Sequence, residues 1–200
     1  MAYSEFKLDT ALEKFHLRLA RDRDLFAGSR EAPPSPTLRS QLDELTAYAL
    51  DLRTEKGRSE LLIMPILMDL WRQTNHRVAV LSGPEFTVDA AQGLGGFCDF
   101  LVAQGPDPLL LRAPVLAVVE AKREDIAGGY GQCIAEMVAA RIFNEREGTP
   151  REMLHGTVTT GDVWKFLRLE GDTVWIDRPV YYIDRIEKIL GALLEMVGHG

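Results

Sequence analysis

The N-terminal part of the chain carries apolar residues at the spacing of an amphipathic helix. Repeats of three and four residues over about 7–24 predict one helix with a single apolar face. A Pro- and Ser-rich segment over 28–37 is typical of a linker. We therefore predict that residues 1–36 form a helical arm and linker, followed by a domain over 37–200. The apolar face of the first helix comprises Leu8, Leu12, Phe15 and Leu19.

Two more helices are predicted before the character of the chain changes. The first begins beyond Pro36 and ends near Gly57, because glycine is typical of helix C-termini. The second begins at Ser59, a favourable N-cap, and runs to about Gln73. Pro65 lies inside this run and predicts either a kink or a helix made of two pieces.

From His76 onward, short runs rich in Val, Phe and Leu are separated by Gly and Pro, which is the pattern of β-strands. The runs RVAVL, EFTVDA, GFCDFLVA and PVLAVVEA predict a meander. A helix over about 128–147 follows, then three strands with Gly-Asp turns at 161–162 and 171–172, and a closing helix over about 182–197. This order predicts an α/β fold with one mixed β-sheet flanked by helices.

Composition fits a globular protein and limits the classes of function. The chain is 46% hydrophobic and 26% charged. No apolar run approaches the roughly 18 residues of a membrane span, and the N-terminus lacks the apolar core of a signal peptide, so we expect a cytoplasmic protein. Cys98 and Cys133 fit free thiols in a reducing compartment. The formal net charge of -7 argues against a surface that grips nucleic acid throughout, but it leaves room for a local basic groove.

Three charged residues mark two neighbouring strand runs. Asp99 lies in GGFCDF, and Glu120 and Lys122 follow the apolar run PVLAVV. Side chains alternate along a strand, so Glu120 and Lys122 point to one side, and a hairpin would bring Asp99 beside Glu120. Two carboxylates flanked by a lysine can hold Mg²⁺ and place a water on a phosphate. The alternative is a solvated Glu120–Lys122 ion pair, worth about 1 kcal/mol at most.

These motifs resemble the PD-(D/E)xK nuclease superfamily. Over about 59–170, the chain looks most like the restriction-endonuclease-like domain at the N-terminus of type I restriction-enzyme motor subunits. SELLIMPILMDLW is similar to the family's first core helix, GGFCDF to its aspartate motif, VVEAK to its (D/E)xK motif, and GYGQCIAEMVAAR to the helix that follows. The chain departs from the family pattern at Cys98, where proline is expected. The resemblance implies a restriction-endonuclease-like mixed sheet.

The resemblance also implies a Mg²⁺- or Mn²⁺-dependent endonuclease that hydrolyses DNA phosphodiester bonds. It implies that Glu60, Asp99 and Glu120 bind the metal, and that Lys122 and Gln132 complete the catalytic set with Asp99 and Glu120. Glu60 has a second interpretation as a carboxylate that favours the helix dipole, and Gln132 as an ordinary residue of the first turn of its helix. Basic residues expected near the site are Lys56, Arg58, Arg123, Arg141 and Arg146.

Three functions stay open from the sequence. One is the nuclease, and the second is a catalytically silent nuclease-fold module that binds nucleic acid or a partner protein in a defence or repair assembly. The third is a helical interaction protein that uses residues 1–56. DNA is the expected partner. A homodimer is compatible with this mechanism, because cutting both strands of a duplex is simplest with two sites, and any motor or specificity protein would be a separate chain. No membrane partner is expected.

Overall fold

The fold is built on one mixed β-sheet, which has eight strands in a computed structural model that describes residues 2–107 and 109–198. The strand order is β1-β7-β6-β5-β4-β3-β2, and β8 pairs with β6 beside this path. The predicted α/β class is confirmed. The strands are β1 Arg18–Ala20, β2 Val78–Ser82, β3 Phe100–Gln104, β4 Val115–Ala121, β5 Met153–Thr159, β6 Val163–Glu170, β7 Thr173–Ile176 and β8 Tyr181–Tyr182.

Helices cover both faces of the sheet. One face packs against α1 and α5, and the other packs against α2, α4 and α6, so each face has its own hydrophobic cluster. None of the helices in the described part of the chain combines the length and apolarity needed to cross a bilayer. The helices are α1 Leu8–Lys14, α2 Pro36–Asp51, α3 Glu55–Arg58, α4 Met64–Gln73, α5 Tyr130–Arg146 and α6 Ile186–Met196.

The central strands follow the predicted order. β2, β3 and β4 form an antiparallel meander, α5 connects β4 to β5 in parallel, and β5, β6 and β7 continue antiparallel. Every residue of β4 is buried, as its uninterrupted apolar run predicts. Trp164 and Phe166 of β6 belong to the core. The closing helix begins later than predicted, at Ile186, because Tyr181 and Tyr182 pair with β6 instead.

The predicted strand EFTVDA is wrong. Residues 85–90 make two isolated bridges, Glu85 with Phe97 and Asp89 with Leu94, and do not join the sheet as a strand. The Asp89 side chain accepts a hydrogen bond from the Gln92 amide at 3.1 Å and so caps a short 3₁₀ turn. This local hydrogen bond offers the backbone an alternative to strand pairing, as aspartate commonly does.

The predicted helix over 7–24 is also wrong beyond Lys14. His16 adopts a left-handed conformation with φ 53°, and residues 18–20 form β1, which pairs in parallel with β7. Leu19 satisfies the helical repeat in the sequence, yet it lies opposite Val174 in the sheet. Residues 3–17 bury apolar side chains in the same cluster as α5, so this segment packs on its own chain. The domain boundary at residue 36 stays a prediction.

The second helix starts where predicted but ends earlier. Ser35 caps α2 by accepting a hydrogen bond from the Leu38 amide at 3.2 Å. The helix ends at Asp51, so the predicted end near Gly57 is wrong. Gly57 lies instead inside α3, where its amide donates to the Thr54 side chain at 3.1 Å. Thr54, rather than Gly57, therefore marks the boundary between the two helices.

The predicted N-cap at Ser59 is wrong, because α3 begins four residues earlier at Glu55. Ser59–Ile63 form a π-helical segment that leads into α4. Pro65 is in the first turn of α4 and has no amide hydrogen to continue an α-helical ladder. The wider π turn before it accommodates the missing hydrogen bond, so the run is one helical path made of distinct pieces.

Close packing of the N-terminal segment on α5 gives the first prediction. A Cβ added at Gly131 would stand 2.4 Å from the Phe6 oxygen and 2.3 Å from the Lys7 carbonyl carbon. We expect Gly131→Ala to lower the free energy of unfolding by about 1–3 kcal/mol, because overpacking outweighs the roughly 1 kcal/mol that alanine gains in a helix. Chemical denaturation measures the change. Gly28→Ala is the control, since no atom lies within 4 Å of its added Cβ. Unchanged stability in Gly131→Ala would contradict this packing.

Candidate functional site

The end of β4 brings the predicted aspartate and glutamate together. β3 and β4 pair with Phe100 opposite Val119, so Asp99 lies beside the C-terminal end of β4. The Asp99 Oδ2 atom accepts a hydrogen bond from the Ala121 amide at 2.8 Å. The expected hairpin is confirmed, with one correction: Asp99 precedes β3 instead of lying inside it. Phe100 is the first residue of the buried strand β3. Asp99 comes just before it, and its side chain lies at the site.

Lys122 and Gln132 join Glu120 in one hydrogen-bond network. Lys122 Nζ donates to Glu120 Oε1 and, at 3.3 Å, to Gln132 Oε1. Gln132 Nε2 donates to Glu120 Oε2 at 2.8 Å. Glu120 is fully buried, and the side chain of Lys122 is 24% exposed. The Glu120–Lys122 pair is therefore an interior pair, and the solvated ion pair considered from the sequence is wrong.

Glycine at position 129 allows the start of α5 to approach the strand ends closely. A Cβ there would stand 2.6 Å from Val158 Cγ1 and 3.1 Å from Lys122 Cγ. Real Cβ atoms do not approach other atoms so closely, so this contact needs a residue without a side chain. The first turn of α5 consequently lies over the end of β4, and Gln132 reaches Glu120.

Glu136 is a member of the cluster that the sequence interpretation missed. Its Oε1 atom accepts a hydrogen bond from Gln132 Nε2 at 3.1 Å. Glu136 is fully buried, and its Oε2 atom has no hydrogen-bond partner among the described residues. The signal in the sequence was the spacing of four residues from Gln132, which places both side chains on one face of a helix.

Glu55 is the second missed carboxylate. Burial raises its pKa, Lys122 lowers it, and Asp99 raises it, so Glu55 lies within electrostatic reach of the site. Glu60, the residue predicted from the family resemblance, has a 62% exposed side chain and forms its ion pair with Lys56 at 3.8 Å. The wrong helix start at Ser59 is the reason Glu55 was overlooked. The metal-binding role of Glu60 stays a prediction that these contacts do not support.

Burial and mutual repulsion disfavour ionisation in this cluster. The pKa of Glu120 is raised by burial and further by the charges of Glu136 and Asp99, while Lys122 lowers it. Burial also raises the pKa of Glu136, and so does Asp99, while the hydrogen bond from Gln132 lowers it. With Glu55, four carboxyl groups thus share one lysine. A proton or a cation bound here would relieve the repulsion.

The two cysteine thiols lie close enough to the cluster for its carboxylates to raise their pKa values. Cys98 and Cys133 are both free and buried, as expected for thiols outside any disulfide. Burial raises the pKa of each thiol, and the charges of Glu136 and Glu120 raise it further. A raised pKa keeps a thiol protonated and unreactive, so Cys98, at the position where the family pattern has proline, serves here as a small apolar residue.

The donor chemistry suits a hard divalent cation. Mg²⁺ takes oxygen ligands and retains several waters, so one or two protein carboxylates can hold it. Asp99 and Glu120 provide that pair, and Glu136, whose Oε2 atom has no hydrogen-bond partner among the described residues, lies next to Gln132 in the same network. Among the residues that the structure describes, no three His, Cys, Asp or Glu side chains are grouped so as to hold a metal by themselves. The residues therefore fit a hydrated Mg²⁺ or Mn²⁺ better than a fully protein-ligated ion such as structural zinc.

Comparisons with models of protein families, with curated proteins and with solved structures find no match for this chain. What the cluster does is therefore inferred from its own residues.

The raised pKa of Glu120 predicts that the metal-free protein loses stability as the pH rises. The ordinary pKa of a glutamate carboxyl is 4.5, and a higher pKa in the folded state means that the protonated carboxyl stabilises the fold. This stabilisation is complete below about pH 4.5 and is lost as the pH rises to the folded-state pKa. Each unit of elevation corresponds to about 1.4 kcal/mol. Because Glu120→Gln cannot ionise, we expect it to flatten the decrease in melting temperature between about pH 5 and about pH 9 in chelator.

Asp184→Asn, which changes an exposed carboxylate, is the control for this pH series. We expect its pH dependence to match that of the wild type. The same decrease in Glu120→Gln as in the wild type would contradict the raised pKa.

Proposed function

We propose that this chain is a metal-dependent nuclease that hydrolyses DNA phosphodiester bonds, as its resemblance to the PD-(D/E)xK superfamily implies. The observation that supports this most strongly is the convergence of Asp99, Glu120, Lys122 and Gln132 at one end of the sheet. An excess of carboxylates over lysine in a partly open cluster is suited to binding a divalent cation, and a cation is what a phosphodiester needs as a counter-charge.

Asp99 and Glu120 would hold Mg²⁺ or Mn²⁺ through carboxylate oxygens. A bound ion would supply Lewis-acid polarisation of the phosphate and a lower pKa for a coordinated water. The Ala121 amide fixes the Asp99 carboxylate, and the Gln132 side chain fixes that of Glu120. Both carboxylates are thus oriented before any ligand arrives, as metal ligands usually are.

Lys122 is the group placed to act on the phosphate. Its ammonium has three N–H donors, and two of them bind Glu120 and Gln132. The third would orient the attacking water or stabilise the negative charge that develops on the phosphate oxygens. The two existing hydrogen bonds hold the ammonium in place, so this stabilisation needs little reorganisation during the reaction.

The second candidate function is a catalytically silent module with the same fold. The direct contact between Lys122 and Glu120 favours it, because this pair is neutral and satisfied without an ion. The net charge of -7 also disfavours tight general binding of nucleic acid. Such a module would bind nucleic acid or a partner protein in a defence or repair assembly, without dependence on divalent metal. The third candidate, an interaction protein using residues 1–56, loses support because residues 3–17 pack against α5.

Cleavage of plasmid and of single-stranded DNA tests the nuclease directly. We expect wild-type protein to cut in the presence of Mg²⁺ or Mn²⁺, and we expect Asp99→Asn, Glu120→Gln and Lys122→Met each to reduce the rate by about 100-fold or more. Lys188→Met, a change at a lysine whose side chain is 45% exposed, is the control for loss of a positive charge. Metal-dependent cleavage that survives in all three site variants would sink the proposal.

Thermal melting with added metal tests the ion site independently of cleavage. We expect Mg²⁺ to raise the melting temperature more at about pH 8.5 than at about pH 6, because the ion competes with protons for Glu120. A Mg²⁺ concentration of 100 times its dissociation constant should stabilise the folded protein by about 2.7 kcal/mol. Asp99→Asn combined with Glu120→Gln should abolish the gain. No gain in the wild type at either pH would favour the silent module.

The same melting experiment separates Glu55 from Glu60. We expect Glu55→Gln to reduce the stabilisation by Mg²⁺, because Glu55 interacts electrostatically with Asp99 and Lys122. Glu60→Gln should have the smaller effect, since its carboxylate is exposed and paired with Lys56. The reverse order would return Glu60 to the role that the family resemblance implies.

A further inference from the structure

A small cationic pocket lies on the face of the sheet that carries Glu120. Its volume is about 220 Å³, and it opens between the start of α5 and the ends of β6 and β7. Lysine and arginine predominate in its lining, which contrasts with the acidic balance of the whole chain. The lining residues are Arg21, Tyr130, Lys165, Ile176, Asp177 and Arg178.

Strand register relates this pocket to the candidate site. Glu120 lies opposite Val158, and Val158 lies opposite Lys165. Paired residues project to the same face, so Lys165 is on the face of Glu120, two interstrand spacings or about 10 Å away. Gly129 lies against Val158 and Lys122, and Tyr130 follows it in the chain. The pocket therefore adjoins the cluster across the start of α5.

The cationic side chains of the pocket have N–H donors that make no hydrogen bond to the described residues. Arg21 and Arg178 are exposed, and neither guanidinium makes a hydrogen bond or ion pair with the described residues. Lys165 Nζ donates to the carbonyl oxygens of Arg178 at 3.0 Å and Pro179 at 2.9 Å, which leaves one of its three N–H donors. The lysine is thus held in place by the chain while the arginines stay available to a ligand.

The one carboxylate in the lining is already engaged. Asp177 accepts hydrogen bonds from the Leu25 amide at 2.7 Å and from the Tyr181 hydroxyl at 2.9 Å. Burial raises the pKa of Asp177. Burial lowers the pKa of Lys165, and the charge of Arg21 lowers it further although Asp177 raises it. An anion between Arg21 and Lys165 would relieve their repulsion.

The basic residues that the sequence suggested for phosphate contact are occupied elsewhere. Each has a partner within the chain. The partner is either a carboxylate that offsets the positive charge or a carbonyl oxygen that accepts a hydrogen bond. Arg58 pairs with Asp162, Lys56 with Glu60 and Arg123 with Glu124, while Arg141 donates to the Gly171 oxygen and Arg146 to the Val88 oxygen.

We propose that this pocket binds a phosphate group of the nucleic-acid strand whose scissile phosphate lies at Asp99 and Glu120. This inference rests on the proposed nuclease function. The two arginines offer planar forks that match phosphate oxygens, and Lys165 and the Tyr130 hydroxyl add donors. A separation of about 10 Å places the pocket within a few nucleotides of the scissile phosphate on the same strand. The pocket thus sets the register of the strand, and it supplies the local cationic surface that the net charge of the chain does not.

DNA binding by the full chain in chelator tests the pocket without cleavage. Fluorescence anisotropy with labelled single-stranded and duplex DNA would compare the wild type with the double variant Arg21→Gln, Arg178→Gln over about 25–200 mM salt. The matched control is Arg30→Gln, Arg112→Gln, which removes two exposed arginines elsewhere on the chain. Thermal melting checks that each variant is folded, and the single variants Arg21→Gln and Arg178→Gln replace the double variant if it is not.

We expect the pocket variant to bind more weakly than the control variant. The slope of log affinity against log salt should become shallower by about 0.7 for the single strand and about 0.9 for the duplex, the values for one lost phosphate contact. Affinity and slope equal to those of the control variant would overturn the pocket. Failure of the wild type to bind either DNA at low salt would also overturn it.

The proposed function and the pocket fail in different ways. Metal-dependent cleavage that is lost in Lys122→Met, together with a pocket variant that binds like the control, would leave the nuclease and overturn the pocket. Binding that depends on Arg21 and Arg178, without cleavage by the wild type under any metal condition, would support the pocket and overturn the nuclease.

Discussion

Contact between the start of α5 and the end of β4 is the interaction on which both the fold and the candidate site depend. The helix connects the parallel strands β4 and β5, and the N-terminal segment packs on its outer side. Gly129 and Gly131 allow these approaches, since a Cβ at either position would collide with its neighbours. The same contact places Gln132 where its amide binds Glu120 of the sheet and Glu136 of the helix. One docking geometry therefore closes the core and assembles the polar network.

That network leaves the protein with an electrostatic cost at its centre. An ionised carboxylate in the interior costs several kcal/mol unless it is paired, and Lys122 can neutralise only one of the carboxylates around it. Glu136 retains an oxygen atom without a hydrogen-bond partner. A fold selected for stability alone would replace such a group by an apolar residue of similar size. Its presence is physically understandable if the cluster binds a cation in exchange for protons, because the cation would then offset the charge of the carboxylates.

The sequence predicted the strands whose surroundings match their local pattern and missed the elements whose structure depends on distant contacts. β3, β4 and the helix α5 follow directly from apolar runs and helical spacing, and with them the neighbourhood of Asp99, Glu120, Lys122 and Gln132. The strand β1 could not be predicted, because Leu19 fits a helical repeat and only the open edge of β7 makes it a strand. Glu55 was missed for a local reason, because the helix is capped by Thr54, five residues before the predicted N-cap at Ser59. Glu136 was missed because its only signal is the spacing of four residues from Gln132, and that spacing also occurs on ordinary helix faces.

In the proposed nuclease, the acidic cluster would bind a cation, and the basic pocket about 10 Å away on the same face would bind a phosphate group of the same strand. The claim that this arrangement requires is that the cluster takes up a divalent ion in exchange for protons. Isothermal titration calorimetry with Mn²⁺, in two buffers that differ in ionisation enthalpy, counts the protons released per ion bound. We predict proton release at about pH 7 in the wild type and no binding heat when Asp99→Asn and Glu120→Gln are combined. Binding without proton release, or equal binding by the double variant, would contradict the account.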